Sequence, residues 1–242
     1  MRLLSLMTKR IFLPSNGAEN WRALLADPDK HWRAGYSARS AAERWEAANG
    51  LPDEIRAVFE HAGLGSVELL AAFPEWKTPL PGGRRESQTD VLALVRTARG
   101  LFVAGVEAKV AEPFGPTVSE WLADASPGKV ERLTFLREKL GLHEDLSGLR
   151  YQLLHRTASA IIEAERFGAA GAAMIVHSFS QAGALKADFV AFLAAMRIEE
   201  TSERRRSGLG IGMGSRSIVW RLTRRQSRSR YTSHVGADCS AR

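Results

Sequence analysis

Cysteine is almost absent from this chain of 242 residues, whose one cysteine, Cys239, lies close to the C-terminus. This excludes a disulfide framework and a zinc site built from cysteines. No apolar run approaches the ~20 residues that cross a bilayer, and the patch before Lys9 and Arg10 is too short for a signal peptide. We therefore expect a cytoplasmic protein with no membrane association, starting at Met1 or Met7.

Lysine is missing from the C-terminal part of the chain, although arginine is abundant there. Residues 197–242 contain 11 Arg and 4 acidic residues, which leaves 23 basic and 23 acidic residues in 1–196. The net charge of +7 therefore belongs to the tail and does not indicate a body that binds nucleic acid. We predict a basic, disordered tail at 201–242, and both an arm that binds phosphates and a frame-shifted end stay open.

Glycines at 208, 210, 212 and 214 give the run GLGIGMG in this tail. The run does not match GxGxxG and follows no predicted strand, so we do not interpret it as a nucleotide-binding loop.

The body of the chain divides by its hydrophobic periodicity. We predict an N-terminal helical segment over 1–50 that packs on an α/β core over 51–200. The pattern predicts helices near 18–26, 37–48, 51–63, 117–140, 150–167 and 184–197, strands at 66–73, 89–97, 101–110 and 172–179, and a loop at 74–88. This order is typical of an α/β sandwich with a central mixed sheet of about four strands, flanked by helices on both faces.

The strands at 89–97 and 101–110 predict a β-hairpin that brings three charged residues together. With a two-residue loop at Ala98 and Arg99, residues whose numbers sum to 197 face one another, so Asp90 lies opposite Glu107. Lys109 then points to the same face. A three-residue loop would place Asp90 on the other face unless a bulge restored the register.

Two opposed carboxylates in a sheet repel each other, and one lysine neutralises only one of them. The remaining charge favours a hard divalent cation such as Mg²⁺ or Mn²⁺. The simpler interpretation is an ordinary ion pair between Lys109 and Asp90 or Glu107.

The motifs SQTD (87–90) and VEAK (106–109) resemble those of the PD-(D/E)xK phosphodiesterases, which include many restriction endonucleases. The resemblance extends over roughly 51–180 and implies a restriction-endonuclease-like fold. The phrases LPSNG, KHWRAGYSA, EPFGPTVSEWL and RYQLLHRTASA also resemble an uncharacterised bacterial domain family.

The resemblance implies roles for the hairpin residues. Asp90, Glu107 and the carbonyl of Ala108 would bind the metal, and Lys109 would orient the attacking water or stabilise the charged phosphorane. Some members of the superfamily add a glutamate from the first helix or a glutamine from the helix after the hairpin. The accessory candidates here are Glu54, Glu60 and Gln152.

Other chemically suggestive residues have simpler interpretations. The second triplet of this kind, Glu75-Trp76-Lys77, falls in the predicted loop and is interpreted as surface charge. His155 fits a packed helix position, and His177 ends a strand that could approach the site. Arg84 and Arg85 are better placed than the tail to meet a phosphate backbone, although a solvated loop is the default for both.

Two functions follow from the sequence. The first is a metal-dependent nuclease of the PD-(D/E)xK type that acts on DNA or RNA. The second is a non-catalytic protein of the same fold that binds nucleic acid or a protein partner.

Overall fold

A central sheet of six strands, in the order β1-β2-β3-β4-β5-β6, organises the molecule. The computed structural model describes residues 17–179 and 185–196, and the backbone of 214–221 and 232–236. The strands are β1 (Val67–Thr78), β2 (Ser87–Thr97), β3 (Gly100–Lys109), β4 (Gly171–Ser178), β5 (Gly214–Arg221) and β6 (Thr232–Gly236).

The helices lie before β1, between β3 and β4, and after β4. A 3₁₀ helix at Ala18–Leu24 comes first and is followed by α1 (Pro28–His31), α2 (Ser37–Ala48) and α3 (Asp53–His61). After β3 the chain forms α4 (Val118–Trp121), α5 (Pro127–Leu140) and α6 (Tyr151–Arg166), and after β4 it forms α7 (Lys186–Ala195).

The sheet is mixed. Strands β1, β2 and β3 form an antiparallel meander, whereas β3 and β4 are parallel. Since parallel neighbours need a long crossover, the chain passes through α4, α5 and α6 before it returns as β4. Helix α6 packs against β3 and β4. The glutamate and lysine of β3 therefore lie beneath a helix that is distant in sequence.

Two apolar cores cover the two faces of the sheet. One contains Leu92, Val103, Leu153 and Phe192 and lies between the sheet and α5, α6 and α7. The other lies between the sheet and α2 and α3, and it contains Trp45, Phe59, Phe102 and Ala108. This α/β architecture confirms the predicted sandwich, with helices flanking both faces of a mixed sheet, and it is consistent with a restriction-endonuclease-like fold.

Strand β1 is longer than the sequence predicts. The segment 74–78, predicted to belong to a loop rich in proline and glycine, continues the strand and pairs with β2. A proline is tolerated there because β1 is an edge strand, so an edge N–H can be missing without breaking the ladder. The predicted loop assignment is therefore wrong for 74–78.

The predicted helix near 117–140 is two helices. Pro127 begins α5, and the Ser126 hydroxyl accepts a hydrogen bond from the Lys129 backbone N–H at 3.3 Å. This serine-proline start fixes a new helix instead of continuing the preceding one, because proline suits the first helical turn but not the interior.

Two segments of the predicted tail, β5 and β6, are strands, and β5 pairs antiparallel with β4. At these segments the structure differs from the predicted disorder. The rest of 201–242, with most of the GLGIGMG run, and residues 1–16 lie outside the described residues. The predicted boundaries at residues 50 and 200 stay predictions.

In the described part of the chain, every helix is too short or too polar to cross a lipid bilayer.

A side chain of α5 holds the loop between β1 and β2 in place through hydrogen bonds. The Arg132 guanidinium donates hydrogen bonds to the carbonyl oxygens of Pro81 (2.8 Å), Leu80 (3.1 Å) and Gly83 (3.2 Å). Gly82 has a φ of +78° and packs against the start of α5. A Cβ at this position would lie 2.1 Å from the carbonyl oxygen of Gly128. This loop leads directly into the site strand β2.

We expect Gly82→Ala to destabilise the protein more than Gly35→Ala. Both glycines have left-handed backbone angles, +78° and +82°, so alanine adds a similar backbone strain of about 1 kcal/mol at each. Only Gly82 is closely packed, and overpacking typically adds about 1–3 kcal/mol. Urea unfolding of both variants measures the difference in the free energy of unfolding. Equal losses of stability would show that the loop accommodates the added Cβ without further cost.

Candidate functional site

The hairpin of β2 and β3 has the register that the sequence predicts. Thr97 pairs with Gly100, and Val91 pairs with Val106, so paired residue numbers sum to 197. The Thr97 hydroxyl supports the two-residue turn, since it donates to the Gly100 carbonyl (2.9 Å) and accepts from the Arg99 N–H (3.1 Å). The three-residue alternative is therefore excluded.

Asp90 lies just beyond the last paired residues of the hairpin. Its Oδ2 atom accepts a hydrogen bond of 2.7 Å from the backbone N–H of Ala108. The Lys109 carbonyl accepts from the Phe179 N–H on the side of β4. Because backbone groups alternate along a strand, the Ala108 carbonyl points to the opposite side, towards β2 and Asp90.

The Glu107 carboxylate is buried, with 3% of the residue exposed, and accepts three side-chain hydrogen bonds. Oε1 accepts from Lys109 Nζ (2.9 Å) and Gln152 Nε2 (2.6 Å), and Oε2 accepts from Arg156 Nε (2.6 Å). Gln152 and Arg156 lie one turn apart on α6, so the helix presents both to the same carboxylate.

A second hydrogen-bonded path leads away from Arg156. Its Nη1 atom donates to the Ser87 hydroxyl at 3.0 Å, and that hydroxyl lies 2.8 Å from Nδ1 of His155. The network therefore joins the first residue of β2, the third-last residue of β3 and two neighbouring residues of α6.

The family comparison covers all of these residues. Residues 14–215 match the model of a domain of unknown function (DUF6946). The chain belongs to this family. No curated protein and no solved structure matches it. The matched range includes every residue of the hairpin and of α6 described above.

Sequence reasoning missed Glu75. In the structure its carboxylate accepts a hydrogen bond of 2.8 Å from the Gln88 amide, and burial and the charge of Asp90 raise its pKa to about 8. Glu75 also has a φ of +52°, which is rare for a residue with a side chain. The sequence signal was the second triplet itself, which was interpreted as surface charge because it falls in the predicted loop.

Gln152 lies in the site, but the other two accessory candidates do not. Glu60 is exposed on α3, the helix that packs against the other face of the sheet. Glu54, also on α3, is bound by the Arg44 guanidinium at 2.8 Å. Glu54 and Glu60 therefore do not reach the hairpin charges, whereas Glu75 of β1 lies close enough to Asp90 for their charges to interact.

The two histidines fall on opposite faces. His177 is fully buried and follows Ala173 and Ile175 along the face covered by α3, so it does not approach Glu107. Its pKa is lowered to about 4, chiefly by burial. His155 belongs to the site network through Ser87, which the interpretation as a packed helix residue did not include.

The charges of the site are unequally compensated. Burial would raise the pKa of Glu107, but the charges and hydrogen bonds of Arg156 and Lys109 hold it below its usual value. The charge of Asp90 is compensated less fully by nearby cations. Burial and the charge of Glu107 therefore raise the pKa of Asp90 to about 7. Three carboxylates therefore face two cations, and the uncompensated charge lies at Asp90 and Glu75.

These groups fit a hard divalent cation in part. Asp90 and the Ala108 carbonyl supply oxygen atoms on the same side of β3, and Glu107 uses three of its about four acceptor positions. Within the described residues, no group of three or more His, Cys, Asp or Glu side chains is arranged to hold a metal. Any cation would therefore depend on the backbone carbonyl and water as well as on carboxylates.

We expect Asp90→Asn to reduce the pH dependence of stability in metal-free buffer. Asp90 binds a proton up to about pH 7 when folded but only up to about pH 3.8 when unfolded. The free energy of unfolding should therefore fall as pH rises between these values, by up to about 1.4 kcal/mol per unit. Asparagine keeps an oxygen acceptor for the Ala108 N–H.

Urea unfolding at several pH values between 4 and 8 tests this, with Asp53→Asn, an exposed residue of α3, as the control. Parallel curves for the wild type and Asp90→Asn would contradict the proposed burial of an uncompensated charge.

Proposed function

We propose that this chain is a metal-dependent phosphodiesterase of the PD-(D/E)xK type that cleaves DNA or RNA, with Mg²⁺ or Mn²⁺ as the cofactor. The observation that carries the proposal is the placement of Asp90, Glu107 and Lys109 on one face of one hairpin, in a sheet covered by helices. The predicted cytoplasmic location is part of the same proposal.

Asp90, the Ala108 carbonyl and the free acceptor position of Glu107 would hold the cation. A bound cation would supply a water of lowered pKa and offset the charge that develops on the phosphate. Metal binding requires a deprotonated carboxylate, and the raised pKa of Asp90 makes such binding compete with a proton.

Lys109 would place a positive charge beside the reacting phosphate. Its ammonium group is held by Glu107 at 2.9 Å and lies 5.6 Å from the centre of the Phe114 ring. Both contacts restrict the side chain, and a charge that is already positioned stabilises a transition state better than a mobile one. Lys109 can also orient the attacking water.

Glu75 and Gln152 support the same chemistry from neighbouring elements. Glu75 adds a third carboxylate beside Asp90, and the Gln152 amide orients Glu107 at 2.6 Å. Because hydrogen bonds to a metal-binding carboxylate fix its direction, we expect Gln152 to affect metal affinity more than the fold.

One observation favours the second candidate, a non-catalytic protein that binds nucleic acid or a protein partner. Lys109, Gln152 and Arg156 already occupy most of the Glu107 carboxylate. A carboxylate whose acceptor positions are filled by the protein's own side chains is also what a former metal site retains after the metal is lost.

The deciding experiment incubates purified protein with plasmid DNA and with RNA, in Mg²⁺ or Mn²⁺. We expect cleavage by the wild type, and losses of at least about 100-fold for Asp90→Ala and Lys109→Ala. Lys77→Ala is the matched control, because Lys77 ends the second triplet but is exposed. Its activity should equal that of the wild type.

Calorimetric titration with Mn²⁺ separates the two candidates. Binding that Asp90→Ala abolishes supports the enzyme. Cleavage that is equal in the wild type and both variants, or the absence of both cleavage and metal binding, would reject it in favour of the non-catalytic candidate.

A further inference from the structure

The imidazole of His155 is hydrogen-bonded through Nδ1 to the Ser87 hydroxyl. Arg156 Nη1 donates to the Ser87 hydroxyl at 3.0 Å, and an arginine can only donate. This bond leaves the hydroxyl hydrogen and one acceptor position of the oxygen for Nδ1 of His155, 2.8 Å away. We infer that the hydroxyl donates to Nδ1, so that Nε2 of the neutral ring carries the proton.

The Nε2 atom of His155 has no hydrogen-bond partner among the described residues. His155 as a whole residue is partly buried. Aromatic contacts fix the ring plane, since Tyr151 lies 4.8 Å from the imidazole and stacks on Trp121 at 3.9 Å. The orientation of Nε2 at the edge of the site is therefore fixed by its ring contacts.

Three cationic side chains lie near enough to the His155 ring to act on its charge. Burial lowers the pKa of His155 well below its usual value, and the charges of Arg156, Arg132 and Lys109 lower it further. The ring therefore stays neutral and donates its Nε2 proton within a positive potential. A ligand that matches both the donor and the potential is an anion with an exposed oxygen atom.

We propose that Nε2–H of His155 binds a non-bridging oxygen of a phosphate group, and that Ser87 is the positioning residue that fixes the tautomer. The proposal rests on the proposed function only for the identity of the ligand, a phosphodiester of DNA or RNA. Ser87 precedes Asp90 by three residues on β2, so the phosphate lies beside the proposed metal site.

The test is ¹⁵N NMR of metal-free, full-length protein with labelled histidine, titrated with inorganic phosphate. We expect the His155 ring to be protonated at Nε2 and not at Nδ1, and its Nε2 signal to shift saturably with phosphate. The exposed His31, His61 and His143 serve as internal controls that should not saturate.

Variants then assign the roles. His155→Phe should abolish the saturable site, whereas His155→Gln, which keeps a donor near Nε2, should retain part of the affinity. Ser87→Ala should admit the second tautomer and weaken phosphate binding by about tenfold. Ser159→Ala is the matched control, because its hydroxyl bonds the backbone carbonyl of His155 at 2.7 Å and not the ring.

A proton on Nδ1, or an Nε2 signal that phosphate does not shift, overturns the proposal on the wild type alone, whatever the variants do. Equal phosphate affinity in Ser87→Ala and the wild type overturns the role of Ser87. Saturable binding at His155 in a protein that cleaves neither DNA nor RNA upholds the phosphate site and rejects the nuclease. Cleavage by the wild type without saturable binding at His155 upholds the nuclease and rejects the phosphate site.

Discussion

The buried Glu107 carboxylate is the interaction on which the site depends. It connects Lys109 of the same strand with Gln152 and Arg156 of α6, and its hydrogen bonds are 2.6–2.9 Å long. A carboxylate and two cations are costly to desolvate separately, and only their close contact offsets that cost. The position of α6 over the sheet and the charge state of the site are therefore parts of one arrangement.

Asp90 and Glu75 differ from Glu107 in this respect. Among the described residues, their hydrogen-bond donors are the Ala108 N–H and the Gln88 amide, and neither donor carries a charge. Their raised pKa values and the left-handed backbone of Glu75 are local costs in an otherwise well-packed fold. Such costs commonly mark a functional site, and they are easier to explain with a ligand than with stability alone.

Much of the fold followed from the sequence, because its signals are local. The periodicity of 37–48 matches α2, and the apolar runs flanking Ala98 and Arg99 match β2 and β3 with the correct register. The position of β1 at the edge of the sheet depends on the rest of the fold and cannot be inferred from neighbouring residues, so the proline in this segment suggested a loop. Likewise, the start of a second helix at Pro127 was hidden by the continuous periodicity around it.

The same distinction separates the parts of the site. Spacing within one hairpin was enough to bring Asp90, Glu107 and Lys109 together. Arg156, Ser87 and Glu75 were missed because their contacts depend on how α6 and the edge strand pack, which no short pattern encodes. The glutamates of the first helix were expected by analogy, but α3 covers the opposite face of the sheet.

The crossover between β3 and β4 also has a consequence for the order of folding. The hairpin closes through a two-residue loop, whereas Gln152 and Arg156 are 45 and 49 residues away from Glu107. Loop closure is slower over such distances, so the hairpin carboxylates should remain hydrated until α6 docks. On this view, the last step that excludes water from the sheet is also the step that assembles the charged network.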